Sequence, residues 1–339
     1  KATGKPATGK QSNINGQIYL FNGEGQMQHG WVAATSSDEK FVQLDKEDEE
    51  QKMSAAGEAD VYYCGDEDDG HAKKNKWVKT WLPSDTNEEE DDKEWFWFDK
   101  EGKVFRASET KKNSVETAAN AEKYKLDEGT LTPDDGKVAT LIGKKKVNSK
   151  DYWFRNDGVM LSKFYKINDA MFYFGGADDG SMKTGSQSIK DNAGDTYKFY
   201  FYTKDQSTEK YATPEDGNKL KKGAGVVGNQ SNKLYYYGLL LTADDYKYQV
   251  VTLKDNDGQD VKFIINSNGS IQHSYGTTYK EDGQDLIVVD EVLGKEYKDS
   301  EGKTQTGTAK YVEDGQYKYG FKSGVENKVS DVDLTKFYN

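Results

Sequence analysis

A short pattern recurs along the chain, and this repetition limits what the chain can fold into. The cluster Tyr152-Trp153-Phe154 precedes Asp157-Gly158, and the cluster Phe172-Tyr173-Phe174 precedes Asp179-Gly180. Similar clusters occupy residues 19–21, 62–64, 95–98, 235–237, 263–265 and 317–321. Aromatic and β-branched residues favour an extended strand, and Asp-Gly or Asn-x-x-Gly supplies the positive φ of a tight turn. Each copy therefore predicts a β-hairpin.

A single hairpin is marginally stable in water, so each copy needs a neighbouring copy to cover its aromatic side. We therefore predict an all-β fold, a solenoid of β-hairpin repeats with irregular acidic inserts. The inserts lie at residues 45–54, 83–93, 111–136 and 204–222, and Ser114–Leu126 is expected to hold a short helix. Apolar runs lengthen after Gly223, which indicates a more sheet-like C-terminal part. The predicted division is residues 1–222, with the hairpin repeats, and residues 223–339, with degenerate repeats or a β-rich region.

The composition favours folding through thin aromatic layers and argues against several functions. Aromatic residues make up 13% of the chain, although hydrophobic residues make up only 34%. Lys and Arg number 47 against 59 Asp and Glu, and a formal net charge of −12 argues against a nucleic-acid partner. No apolar run approaches the roughly 18 residues of a membrane-spanning helix, so no membrane span is predicted.

The reactive residue types form no catalytic or metal-binding pattern. Cys64 is the single cysteine, and it occupies a strand position that Phe21, Phe98 and Phe154 fill in other copies, which predicts a buried thiol. The three histidines lie in separate copies, and no nucleophile elbow, zinc-binding motif or phosphate-binding loop occurs. Acidic turns such as Asp66–Gly70 are expected to be Asp-rich for conformational reasons. We therefore predict no catalytic residue, no metal, no cofactor and no enzymatic activity.

Two stretches resemble the repeats of the cell-wall-binding family, also called choline-binding or glucan-binding repeats. That unit runs from Gly-Trp through an aromatic cluster to Asp-x-Asp-Gly-x-Met and then the next Gly-Trp. Residues 15–32, which end in Gly30-Trp31-Val32, match it end to end, and residues 172–185 match as closely. The resemblance implies a non-catalytic module of a secreted Gram-positive surface protein that binds cell-wall or other polysaccharide.

The cage positions of these repeats indicate which ligand to expect. The resemblance implies that a choline cage combines the Trp of Gly-Trp, the first aromatic of the cluster and a ring from the next repeat. Here Gly-Trp is kept at Trp31 and approximately at Trp77, and the first cluster position is a tryptophan only at Trp95. Most cages then lack two walls. We therefore expect a polysaccharide ligand, and only weak retention on a choline-type resin.

Aromatic rings are the candidate contacts for a carbohydrate or choline-like ligand: Trp31, Tyr62, Trp77, Trp81, Trp95, Trp97 and Trp153. Core packing is the alternative role for each of these rings. Within the densest group we expect Trp95 to contact the ligand and Trp97 to be half-covered by the next repeat. Phe96 and Phe98 are expected to carry the core.

Two functions remain open from the sequence. The first is binding of cell-wall or extracellular polysaccharide by a secreted protein on the bacterial cell surface. The second is an adhesin or spacer scaffold whose repeats hold acidic inserts against a host or surface protein. A glycan array combined with polysaccharide pull-downs separates the two.

Overall fold

The computed structural model shows a chain built from β-strands. It describes residues 4, 6–34, 41–44, 59–83, 92–108, 110, 117–206, 221–243, 247–254, 260–272, 278–281, 284–289, 297–298, 304–305, 312–313 and 316–321. All 25 regular elements in these ranges are strands, which confirms the all-β class predicted from the repeats. The predicted insert at residues 45–54 lies outside the described residues, as do residues 84–91 of the insert at 83–93 and residues 207–220 of the insert at 204–222.

The chain forms two compact units, each made of separate stretches. Unit 1 comprises Lys1–Ala121, Val138–Lys163 and Phe174–Met182, and unit 2 comprises Glu122–Lys137, Phe164–Tyr173 and Lys183–Asn339. The predicted division after residue 222 concerns the type of repeat on each side of it. It is a different division from that into these two units, and it stays a prediction.

Unit 1 is made mainly of short antiparallel pairs. Its strands are β1 (Gly9–Ile14), β2 (Gln17–Phe21), β3 (Trp31–Ala34), β4 (Phe41–Gln43), β5 (Val61–Tyr63), β6 (Lys76–Thr80), β7 (Glu94–Phe98) and β10 (Lys150–Arg155), with parts of β8 (Thr117–Asp127) and β9 (Thr130–Val147). Strand β1 pairs with β2, β3 lies between β4 and β5, and β6 pairs with β7. Strand β10 pairs with the end of β9.

Unit 2 contains a five-stranded sheet, called the wider sheet below, and several strands of six or seven residues. Its strands are β11 (Phe164–Ile167), β12 (Ala170–Tyr173), β13 (Gly185–Lys190), β14 (Thr196–Phe201), β15 (Gly228–Gln230), β16 (Lys233–Tyr236), β17 (Leu239–Leu240), β18 (Tyr248–Lys254), β19 (Asp260–Asn266), β20 (Thr278–Glu281), β21 (Gln284–Val289), β22 (Tyr297–Lys298), β23 (Thr304–Gln305), β24 (Val312–Glu313) and β25 (Gln316–Phe321). The wider sheet has the order β13-β14-β17-β16-β15, and a four-stranded sheet has the order β20-β21-β25-β24. Strand β11 pairs with β12, and in the sheet order β11 lies next to β8.

The helix predicted over Ser114–Leu126 is wrong for its described part, because residues 117–126 lie in strand β8. Its Ala, Glu and Lys residues favour a helix when considered alone. In the structure Tyr124 and Leu126 are buried while Lys125 between them is exposed, which is the alternation of a strand. Burial of one face of the strand therefore outweighs the local helix preference.

In several repeats the turn is closed by the polar residue that directly follows the aromatic cluster. The side chain of Asn22 accepts hydrogen bonds from the backbone N–H groups of Glu24 and Gln26. Asp99 does the same for Glu101 and Lys103 in a later repeat. A carboxylate or amide oxygen suits this role because it satisfies backbone donors that the tight turn leaves unpaired. The Asx-x-x-Gly pattern in the sequence thus encodes the turn directly.

Successive repeats of unit 1 are joined by one recurring backbone hydrogen bond. The backbone N–H of the second residue after the turn glycine donates to a carbonyl oxygen of the preceding repeat. The acceptor is the residue at the first position of the preceding repeat's cluster. These bonds run from Ala72 to Ile18, Val104 to Val61, Met160 to Trp95 and Met182 to Asp151, at 2.8–2.9 Å. The turn glycine of each of these repeats has a positive φ. The space where its side chain would lie is filled by the preceding repeat, through the residue two positions after that repeat's own turn glycine. Met160, for example, fills the space beside Gly180. One glycine per repeat therefore serves both the turn and the close approach of its neighbour.

The predicted core residues are buried. Phe96, Phe98, Phe154 and Phe174 are among the largest side chains with no exposed surface, as the alternation of the clusters predicts. Cys64 is also fully buried, in a cluster with Leu20. The sequence interpretation of Cys64 as a small core residue is confirmed.

The buried Cys64 thiol is expected to be unreactive in the folded protein. Burial raises its pKa to about 12, so almost no thiolate, the reactive form, is present at pH 8. We expect its reaction with an aromatic disulfide reagent at pH 8 to be slower by about a hundredfold or more than in guanidinium-unfolded chain. The pKa of the Cys64 thiol is higher in the folded than in the unfolded chain. The free energy of unfolding therefore falls on account of this thiol only when the pH rises above the unfolded pKa. Equal rates for folded and unfolded protein would show that the thiol is accessible.

Candidate functional site

The hairpin of β6 and β7 carries three of the predicted tryptophans on one side. In its register Trp77 lies opposite Trp97, and Lys79 lies opposite Trp95. Residues two apart on a strand share a face, so these four side chains occupy the same side of the hairpin. The sequence alternation thus places three indole rings and one ammonium group together.

The opposite side of this hairpin faces a different part of the core. Phe96 and Phe98 pack there with Trp31, Val61 and other buried residues of unit 1. The edge of the Phe96 ring meets the Trp31 ring at a centroid distance of 4.8 Å. Because this side is filled by buried rings, a ligand can reach only the tryptophan side.

Trp77 is the centre of the aromatic group on the tryptophan side. Its ring centroid lies 5.3 Å from that of Trp97 and 4.8 Å from that of Tyr152. It is also stacked on Phe154 at 5.8 Å with an interplanar angle of 17°. Trp77 is half-buried, whereas Trp97 is only 9% exposed. The expectation that Trp97 is half-covered is wrong, since Tyr152, Phe154 and Met160 of the next repeat cover it almost fully.

Trp95 is half-buried and is held by a charged pair. Its Nε1–H donates a hydrogen bond of 2.8 Å to Oδ1 of Asp178, and the Lys79 ammonium lies 2.8 Å from the same oxygen. These two hydrogen bonds and the positive charge of Lys79 keep the pKa of Asp178 below its usual value. The side chains of Lys79 and Asp178 are 39% and 67% exposed. Both therefore lie where a ligand can reach them.

We call this group the Trp77–Trp95 face, and it consists of Trp77, Lys79, Trp95, Trp97, Tyr152 and Asp178. Half-buried indole rings present apolar surface, and the carboxylate and ammonium beside them offer hydrogen bonds of both kinds. A sugar ring has the matching chemistry, since its C–H face is apolar and its hydroxyls both donate and accept. The arrangement can therefore bind a saccharide by stacking with polar contacts at one end.

Trp31 and Trp81 are connected to each other. Trp31 is 5% exposed, and its Nε1–H donates to the backbone oxygen of Trp81 at 2.7 Å. The Trp81 ring is half-buried and lies beneath the Lys93 ammonium, 4.1 Å from its centroid. Trp31 thus packs in the core, while Trp81 keeps exposed ring surface.

Tyr62 and Trp153 are both buried and lie in other repeats. Tyr62 packs its ring against Phe41 at 5.8 Å, and burial raises the pKa of its hydroxyl above the usual value. Trp153 is buried in strand β10, and its Nε1 makes no hydrogen bond among the described residues. Ligand contact by Trp31, Tyr62 and Trp153 stays a prediction, and in this structure their rings serve packing.

The sequence interpretation missed three members of the face. Lys79 is signalled by strand alternation, since it lies two residues after Trp77. Tyr152 belongs to a cluster that the repeat pattern already identified. Asp178 lies in a turn that is longer than the turn at Gly158, and no spacing rule indicates that it meets Trp95, from which it is separated by 83 positions.

Neither a metal site nor a membrane-spanning helix occurs in the part of the chain that the structure describes. In those residues no group of three or more His, Cys, Asp or Glu side chains is placed to hold a metal ion. A helix long and apolar enough to span a membrane is likewise absent from the described ranges.

Comparison with known proteins gives matches among solved structures alone. No protein-family model matches the chain, and no curated protein matches it. Choline binding protein F from Streptococcus pneumoniae, solved with a peptidoglycan analogue, is 18% identical, with 88% of this chain and 87% of that chain covered and a TM-score of 0.26. The autolysin LytC from Streptococcus pneumoniae, solved with a synthetic peptidoglycan ligand, is 12% identical, with 83% and 47% covered and a TM-score of 0.30. Alternansucrase with isomaltononaose is 18% identical, with 74% and 18% covered and a TM-score of 0.20.

Proposed function

We propose that the protein is a non-catalytic module of the bacterial cell surface that binds cell-wall or other extracellular polysaccharide through the Trp77–Trp95 face. The observation that carries the proposal is the group of half-buried Trp77 and Trp95 rings beside the exposed Lys79–Asp178 pair. The sequence resemblance to cell-wall-binding repeats supports the same function. The corresponding location is outside the cell, as for a secreted protein.

The repeats serve as the scaffold of this face in the proposal. Stacking of hairpins into a solenoid is supported by the backbone bond that recurs from Ala72 to Met182. Trp95 belongs to one repeat, Tyr152 to the next and Asp178 to the one after it. The face is therefore assembled only when three successive hairpins stack in order.

A neutral saccharide suits the face better than a quaternary ammonium ion. A cation is held by several ring faces that point at it, without competing positive charge. Here Trp77 is already stacked on Phe154, and Lys79 lies on the same side of the hairpin as the rings. Because the Lys79 and Asp178 charges compensate each other, the site gains little from a charged ligand. Hydroxyl groups can bond to both.

Loss of the Trp95 ring is expected to remove most polysaccharide binding while the protein stays folded. We expect Trp95→Ala to lower retention on immobilised cell-wall polysaccharide by about tenfold or more, as for a central aromatic anchor of a binding site. Pull-downs with a polysaccharide panel and a glycan array measure this effect, and a choline-type resin is run beside them. Tyr19→Ala is the matched control, since Tyr19 is a half-buried ring of another repeat.

Two results would overturn the proposed function. If the wild-type protein is retained by no polysaccharide, then the face binds none. If Trp95→Ala and Tyr19→Ala bind as well as the wild type, the polysaccharide site lies elsewhere. Retention on the choline resin that only high free choline reverses would contradict the preference for a neutral saccharide.

A further inference from the structure

We infer that Asp178 is a positioning residue that holds the Trp95 ring in the orientation used for ligand stacking; this rests on the proposed function. The carboxylate belongs to a turn two repeats further along the chain than the tryptophan it contacts. It thereby links the ligand-facing ring to the correct stacking of the hairpins.

The geometry supports a positioning role for one oxygen atom. Oδ1 of Asp178 accepts hydrogen bonds from Trp95 Nε1 and from Lys79 Nζ, both at 2.8 Å. The Trp95 ring also packs against the cluster that contains Trp97 and Phe154. A hydrogen bond to a charged acceptor is about twice as strong as a neutral one, so it fixes the exposed edge of the ring. Lys79, opposite Trp95 in the hairpin, bonds to the same oxygen.

A second turn of the same chain provides a natural comparison. The sequence Gly175-Gly176-Ala177-Asp178-Asp179-Gly180 corresponds position by position to Gly65-Asp66-Glu67-Asp68-Asp69-Gly70. In both turns the last Asp N–H bonds to the carbonyl oxygen three residues earlier. Both glycines that end the turns have a positive φ, of 61° and 66°. The two turns therefore share one backbone conformation.

Asp68 occupies the position that corresponds to Asp178, but its surroundings differ. Its side chain is exposed and makes no hydrogen bond or ion pair with any described residue. Turn geometry alone therefore does not require a carboxylate that contacts a tryptophan. The contact of Asp178 with Trp95 is a separate feature of this repeat, and Asp68 is the matched control for it.

The variants Asp178→Ala, Asp178→Asn and Asp68→Ala separate positioning from folding. Alanine removes the acceptor, whereas the Asn side-chain oxygen can still accept the bond from Trp95. We expect Asp178→Ala to weaken polysaccharide binding by about tenfold, the loss of one charge-assisted bond. Asp178→Asn should retain a larger part of the affinity, and Asp68→Ala should bind like the wild type. All three variants should unfold near the wild-type temperature, because both carboxylates are exposed.

A measurement without ligand keeps the two proposals distinguishable. The indole N–H signal of Trp95 in a ¹H–¹⁵N spectrum, assigned with Trp95→Phe, reports its hydrogen bond. In Asp178→Ala we expect this signal to shift and its N–H to exchange faster with solvent, with partial rescue in Asp178→Asn. An unchanged signal in Asp178→Ala overturns the positioning role, whether or not a polysaccharide binds. A changed signal with unchanged affinity overturns it also. Failure of the wild type to bind polysaccharide overturns the proposed function, while the signal still tests the positioning.

Discussion

Replacing Phe96 by alanine is expected to cost about 3–5 kcal/mol of unfolding free energy. The Phe96 side chain has no exposed surface and lies against the rings of Trp31 and the other members of its cluster. Removing a fully buried ring loses its transfer free energy and leaves a cavity among the neighbouring side chains. Since a domain is stable by only about 5–15 kcal/mol, the variant should lose a large part of its stability. Thermal and denaturant unfolding followed by tryptophan fluorescence measure this loss.

Trp95→Ala is the internal control for Phe96→Ala. The two residues are neighbours on strand β7, but their side chains lie on opposite sides of the hairpin. Trp95 is half-buried, so its removal should lower stability far less than removal of Phe96. Similar losses for both variants would show that the two sides of the hairpin are equally structural. A small loss for Phe96→Ala would contradict the core assignment.

The turns and the buried side of each hairpin could be predicted because their causes are local. Asn22 and Asp99 close their turns through bonds that span at most four residues, and the sequence contains both partners. Phe96 and Phe98 follow from strand alternation. The strand at Thr117–Asp127 could not be predicted, because its residues prefer a helix and distant packing decides the outcome.

The candidate site could be predicted only in part, for the same physical reason. Trp77, Trp95 and Trp97 could be grouped because they lie close together in the sequence, and the structure places them on one hairpin. The contacts of Asp178 with Lys79 and Trp95 span 99 and 83 positions, and they depend on how three hairpins stack. Burial of Trp31 likewise depends on packing, since a Gly-Trp motif suits both a ligand contact and a core ring.

Replacing Trp31 by alanine is expected to destabilise the fold by about 3–5 kcal/mol and to leave ligand binding by the folded protein unchanged. The Trp31 ring contacts those of Tyr63, Phe96 and Phe98 at centroid distances of 5.1, 4.8 and 5.9 Å. Because so large a ring is buried among other rings, Trp31 contributes strongly to the stability of its cluster. Unfolding curves measure the stability, and retention per folded molecule, at a temperature well below the transition, measures the binding.

Trp31→Phe and Trp81→Ala show how much of the loss of stability comes from the Trp31 ring contacts and how much from its contacts with Trp81. Trp31→Phe keeps most of the ring contacts but loses the N–H that donates to Trp81, so its cost should be about 1–2 kcal/mol. Trp81→Ala keeps the backbone acceptor and removes only a half-buried ring beneath Lys93, so its cost should be smaller than that of Trp31→Ala. A Trp31→Ala protein that is as stable as the wild type and no longer retained by polysaccharide would make Trp31 a ligand residue. Equal retention with a large loss of stability makes it a core residue and leaves Trp95 as the ring that meets the ligand.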